Sequence, residues 1–144
     1  MEYAIRIAGQ ANADTGANLP LYYYNFDADI PGWDNPGTFH SVDLWFFFET
    51  LAKCWRPFVG KHYDLARQMC DYWANFIRGG DPNGLDSIGE ELPRWEAYTP
   101  EAPFGMRFAH RAEFAREAPG ELMAFLVKQY YKNNPVALRK SQIE

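Results

Sequence analysis

The chain has 144 residues, the length of one ordinary domain, with 47% hydrophobic and 23% charged residues, so disorder is excluded as the dominant state. Its formal net charge is −5 and its lysines and arginines are scattered, which offers none of the basic stripe expected of a nucleic-acid module. The longest apolar runs, Leu44 to Phe48 and Met123 to Val127, fall far short of the roughly 20 residues that span a bilayer, and the first residues lack the basic and hydrophobic regions of a signal peptide.

In chain order, residues 1–12 read as the end of a helix with Ile5 and Ala8 on one side, and Asp14 to Asn18 as a loop. Leu19 to Ala28 is the strongest strand candidate. Its centre, Leu21-Tyr22-Tyr23-Tyr24-Asn25-Phe26, is bulky on both faces, as in a strand covered by helices on both sides. Asp29 to Phe39 is an irregular Gly/Pro-rich loop ending at His40. From Ser41 to about Trp55 the pattern is helical and apolar almost all round, which predicts a buried helix stopped by Pro57. A second helix is expected over Tyr63 to Arg78, with Leu65, Met69, Tyr72, Trp73 and Phe76 on its apolar stripe and Gly79-Gly80 at its end.

Asp81-Pro82-Asn83-Gly84 is a turn. A short extended piece is expected around Leu92 to Trp95. Met106 to Ala115 alternates, with Met106, Phe108, Ala112 and Phe114 on one side and Arg107, Arg111 and Glu113 on the other, so it reads as a single strand with one wet face. Pro119 opens a last helix through Tyr131, with Leu122, Phe125, Leu126 and Tyr130 on one stripe. Cys54 and Cys70 lie in segments that read as helical and form no Cys-x-x-Cys pair. They are expected to be small buried thiols rather than a zinc or dithiol site.

This inventory is short of strands. Two strands far apart in sequence do not make a sheet able to cover four apolar helices. The chain therefore either packs against copies of itself or is a piece of a larger domain.

One segment is arranged for chemistry: Pro36-Gly37-Thr38-Phe39-His40-Ser41-Val42-Asp43-Leu44. A histidine that ends a Gly/Pro-rich loop, between a core strand and a buried helix, is held rigidly enough to serve as a general base. The residues alone leave open a structural histidine bonded to a backbone carbonyl. His62, just before a helix, reads as exposed, and His110 as a core histidine on the apolar side of the last strand. No spacing among the three matches a metal site, and no cofactor is called for.

Tyr22-x-Tyr24-x-Phe26, followed by Gly37-x-Phe39-His40-x-x-Asp43-Leu44-x-Phe46-x-Phe48, resembles the C-terminal part of the type B carboxylesterases, the group that includes cholinesterases and bacterial para-nitrobenzyl esterases. Met69-x-x-Tyr72-Trp73-x-x-Phe76-x-x-x-Gly80-x-Pro82-Asn83 and Leu92-Pro93-x-Trp95-x-x-Tyr98 continue the resemblance in order and spacing across about residues 19–115. Where the family usually has Trp-Pro, this chain has Pro93-Arg94-Trp95.

The resemblance implies an α/β fold, with residues 1–144 forming the C-terminal part of an α/β-hydrolase: a few strands of a large mixed sheet plus about four helices, incomplete as a domain. It makes His40 the histidine of a Ser–Glu/Asp–His triad, whose serine and acid precede it in the chain. Asp43 would be a carboxylate near the first turn of the following helix, standing behind the catalytic groups, with the triad acid itself and an uninvolved surface carboxylate as alternatives. Phe39 either lines the acyl or alcohol pocket or serves packing alone.

The nucleophile elbow Gly-x-Ser-x-Gly is absent, since the three serines are Ser41, Ser87 and Ser141 and none stands in that frame. The chain is therefore expected to be inactive without the upstream part of the same esterase, with which it would act on a small ester. Two other readings stand beside this one: an esterase-like interaction module that self-associates through unpaired strand edges, and an independent small α+β domain. Location is unassigned, with the cytoplasm favoured by the lack of a leader and of a disulfide framework.

Overall fold

A computed structural model describes residues 2–16, 19–99, 102, 105–115 and 120–133. These divide into two compact units. One is built from the described residues of 1–23, 97–105 and 116–144, the other from Tyr24–Glu96 and Met106–Ala115.

In the first unit, helix α1 (Glu2–Thr15) packs against helix α4 (Glu121–Asn133). The predicted loop at Asp14 gives way to one more turn of α1, in which the Thr15 hydroxyl donates to the Ala11 carbonyl at 2.8 Å. The Asn12 amide brackets Leu19, donating to its carbonyl (2.7 Å) and accepting from its N–H (3.1 Å). Gly9 is required where it stands, because a Cβ there would meet the buried Tyr98 ring at 2.5 Å. The expected stripe of α4 is not buried: Leu122, Phe125 and Leu126 are all exposed. Pro119 and the side chains of Phe114, Met123, Val127 and Tyr131 lie outside the described residues.

The second unit carries the sheet, in the order β1 (Tyr24–Phe26), β2 (Gly105–Phe108), β3 (Ala112–Ala115). β1 and β2 are parallel, with Tyr24 opposite Met106 and Phe26 opposite Phe108. The expected ten-residue strand at Met106–Ala115 is instead two strands joined by Ala109–Arg111, a connection short enough only for antiparallel neighbours. Alternation alone cannot distinguish a continuous strand from a hairpin whose legs keep the same phase. The first strand is also shorter than the ten residues of its aromatic run, with its ladder to β2 covering Tyr24–Phe26. Among the described strands β1 lies at one edge of the sheet.

The apolar segment after His40 does not form one long helix. It folds as α2 (Leu44–Phe47) and a 3₁₀ turn at Leu51–Lys53, separated by Glu49 in the left-handed region (φ +49°). Phe46, Phe47 and Leu51 are buried, while Leu44 and Phe48 face solvent. Cys54 follows the 3₁₀ turn rather than lying in a helix, and both cysteines are half-buried free thiols. Helix α3 runs Gly60–Gly79, and Gly80 (φ +73°) ends it by donating to the Phe76 carbonyl at 2.7 Å. Its stripe is buried at Leu65, Ala66, Met69 and Tyr72 but emerges at Trp73 and Phe76.

The centre of this unit is aromatic. The fully buried Phe108 ring lies 5.7 Å from Tyr24, 5.8 Å from Tyr72 and 5.7 Å from Trp95. Phe46, also fully buried, meets Phe26 at 4.9 Å and Phe58 at 5.8 Å. Each such pair adds about 0.5–1.5 kcal/mol beyond the area it buries. The turn after α3 is locked to this core by a reciprocal amide pair. Trp95 N–H donates to Asn83 Oδ1 (2.7 Å), and Asn83 Nδ2 donates to the Trp95 carbonyl (2.9 Å).

Candidate functional site

His40 occupies the second position of a tight turn between β1 and α2, closed by Val42 N–H donating to the Phe39 carbonyl at 3.2 Å. The third position, Ser41, has φ +66°, a left-handed geometry that usually calls for glycine or asparagine. His40 and Ser41 are both exposed. The His40 ring hydrogen-bonds to no other described residue. The chain direction then passes straight into α2, where Phe46 N–H and Phe47 N–H both donate to the Asp43 carbonyl at 3.0 Å.

Asp43 stands at the N-terminal boundary of α2, yet its carboxylate does not cap the helix. Oδ2 instead accepts the Tyr24 hydroxyl at 2.7 Å. Burial, then the bond and charge of Asp43, push the Tyr24 phenol well above its ordinary pKa, so it remains a neutral donor across the physiological range. Strand β1 is thereby tied to the start of α2, three residues after His40. Tyr24 is a site residue that the sequence reading placed only in a strand motif. Nineteen residues of separation carry no signal that the two side chains meet.

Phe39 is exposed and sits edge-on to Trp45 at 5.9 Å, with the Arg56 guanidinium 5.8 Å from its ring centre. Arg56 was also missed. Its two terminal nitrogens reach both carboxylate oxygens of Asp34, at 2.9 and 2.8 Å, and Nη1 also donates to the Pro31 carbonyl at 3.1 Å. The guanidinium additionally stacks over Trp55 at 4.6 Å. These bonds hold the Asp34 carboxyl below its ordinary range.

The other two histidines exchange the roles expected of them. His62 is buried, not exposed, inside the first turn of α3. Its Nδ1 accepts Val59 N–H at 3.0 Å, leaving Nε2 to donate to the Asp29 carbonyl at 3.2 Å. A side chain three residues into a helix that accepts from the cap N–H is half of a capping box, which draws the ring inward. His110 is exposed, because it falls in the β2–β3 connection rather than on a strand face. Neither touches His40. Ser87 N–H and Oγ both donate to Asp71 Oδ2, at 2.9 Å each. Among the described residues no group of three His, Cys, Asp or Glu side chains could hold a metal ion, and no helix is long and apolar enough to cross a membrane.

The partial sheet flanked by helices is shared with solved esterases of α/β-hydrolase fold. The chain superposes on the Geobacillus stearothermophilus carboxylesterase EST55 with a TM-score of 0.58 and 30% identity, over 79% of this chain and 23% of that one. An esterase from Clostridium hathewayi shares the fold at TM-score 0.61 and 23% identity, over 81% of this chain and 22% of that one. The family model described as "Carboxylesterase family" matches residues 2–137, and the chain belongs to that family. Gallus gallus acetylcholinesterase is 36% identical over 99 residues, 68% of this chain and 12% of that protein. Homo sapiens cocaine esterase is 32% identical over 95 residues, 61% of this chain and 16% of that protein. The chain thus spans less than a quarter of the length of each of these relatives.

Proposed function

We propose that residues 1–144 are the C-terminal fragment of a serine carboxylesterase domain, and that His40 is its general base and acid. The observation that carries this reading is the placement of His40: exposed on a closed turn between β1 and α2, within a segment of carboxylesterase-family sequence. Imidazole titrates near neutrality, so it can accept a proton and return it at working pH. His40 would take the proton of a serine hydroxyl as that oxygen attacks an ester carbonyl, then protonate the departing alcohol, and repeat the cycle with water to release the acid.

The serine, the triad acid and the oxyanion donors would come from the preceding part of the same esterase, which is the partner this reading requires. Asp43 is not the triad acid in this scheme, because its carboxylate is engaged by Tyr24. It fixes the base of the turn instead. The structural alternative for His40 required a carbonyl partner, and His62 is the histidine that has one. The substrate is a small ester, with no cofactor and no nucleic acid involved.

The test is ester hydrolysis by the pure 144-residue chain and by its mixture with the preceding part. Hydrolysis by the mixture alone is expected, because losing a nucleophile typically costs several orders of magnitude in rate. Turnover by the chain alone that His40→Ala abolishes overturns the reading.

One feature favours self-association as a second reading. β1 is an edge among the described strands, and an open edge can pair with another chain. Sedimentation at several concentrations decides it: a concentration-independent monomer excludes self-association.

A further inference from the structure

We propose that Arg56 is a positioning residue for His40, holding the loop Pro31–Phe39 so that the imidazole stays where the turn presents it. The inference rests on the reading of His40 as the base. His40 itself is bonded to no other described residue, so its place is set by the backbone on either side. The far side is fixed by Tyr24 and Asp43. On the near side Arg56 makes the side-chain hydrogen bonds to the loop, and it grips both ends. It bonds the Pro31 carbonyl and the Asp34 carboxylate at the start, and lies over the Phe39 ring at the end. Phe39 in turn supplies the carbonyl that closes the His40 turn.

The grip depends on the shape of the guanidinium, not only its charge. Two parallel bonds to one carboxylate need a planar fork, which lysine lacks. The loop is also built around it: a Cβ on Gly32 would come within 2.5 Å of both Arg56 Nη1 and Asp34 Oδ1. The Arg56 side chain is only 7% exposed.

The experiment is ¹⁵N relaxation on the 144-residue chain, comparing wild type with Arg56→Lys and, separately, Asp34→Asn. Wild-type order parameters at residues 37–41 are expected near ~0.85, and those of both variants below ~0.6. Leu65 and Phe108, deep in the core, are expected to keep their wild-type values. Unchanged order at residues 37–41 in both variants overturns the inference. Loosening of Leu65 and Phe108 together with the loop also overturns it, because the pair would then serve the fold at large.

In an assembly competent for hydrolysis, Arg56→Lys is expected to lower kcat by about 10- to 100-fold, the size of effect that small misplacement of a catalytic group produces, with KM within about two-fold. If His40→Ala leaves that assembly active, the reading of His40 fails while the loop measurement still decides the role of Arg56.

Discussion

The Tyr24 hydroxyl donates to Asp43 Oδ2 at 2.7 Å, joining the first residue of β1 to the boundary of α2 three positions after His40. Both residues are only partly accessible. A hydrogen bond to a charged group contributes more than a neutral one, on the order of 1.5–3 kcal/mol. Partial solvent access places this one at the lower end. Tyr24→Phe is expected to lower unfolding free energy by about 1–2 kcal/mol, measured by urea denaturation. The double variant Tyr24→Phe, Asp43→Ala should be clearly less destabilised than the sum of the single changes. Strict additivity contradicts the bond.

Phe108 tests the aromatic centre. It is fully buried against Tyr24, Tyr72 and Trp95, so Phe108→Ala removes several ring contacts at once and opens a cavity. The expected loss is about 3–5 kcal/mol, and Phe108→Leu should cost markedly less. Equal losses from the two variants would contradict the cavity account, because an aliphatic side chain that fills most of the space would then recover nothing.

His62 gives a pH dependence. Burial is the larger cause that lowers its pKa below the usual 6.5, opposed in part by its bond to the Asp29 carbonyl. As pH falls, the unfolded chain therefore binds this proton before the folded one does. The contribution is fully present above about pH 6.5 and is lost as pH drops below that value. Between pH 7.5 and 5.5 the urea midpoint of the wild type should fall more steeply than that of His62→Gln, which keeps an acceptor for Val59 N–H but does not titrate. Parallel profiles contradict the assignment.

The turn itself makes a fourth test. Ser41 holds φ +66°, which a β-branched side chain resists, so Ser41→Val should cost about 1–2 kcal/mol. Ser41→Gly should be neutral or mildly stabilising. The measurement is again the denaturation midpoint, and a neutral valine variant would show that the turn does not hold this geometry.

The motif around His40 and the apolar positions Phe46, Leu65, Met69, Tyr72 and Phe108 were legible from sequence, because burial leaves a periodic trace that a single chain displays. What escaped was set by tertiary pairing. The strand at Tyr24 is short because its ladder with β2 covers only Tyr24–Phe26, and hydropathy does not register where a ladder ends. The helix after Ser41 breaks at Glu49, whose left-handed backbone no propensity rule would assign to glutamate. His62 was read as exposed because polarity near a helix start usually means solvent, whereas here its ring replaces a cap. Arg56 was overlooked for the same reason as Tyr24. Its partners lie at Pro31, Asp34 and Phe39, and a lone arginine between Trp55 and Pro57 gives no sign of them.

The account is tested most directly by replacing His40 in an assembly that hydrolyses esters, made by joining residues 1–144 to the complementary segment of a carboxylesterase-family enzyme and assayed with 4-nitrophenyl acetate. His40→Ala is expected to lower kcat by at least about a thousand-fold, the scale of losing a triad member, while Ser41→Ala stays within about two-fold. Hydrolysis that persists within ten-fold after His40→Ala contradicts the assignment of His40 as the proton carrier.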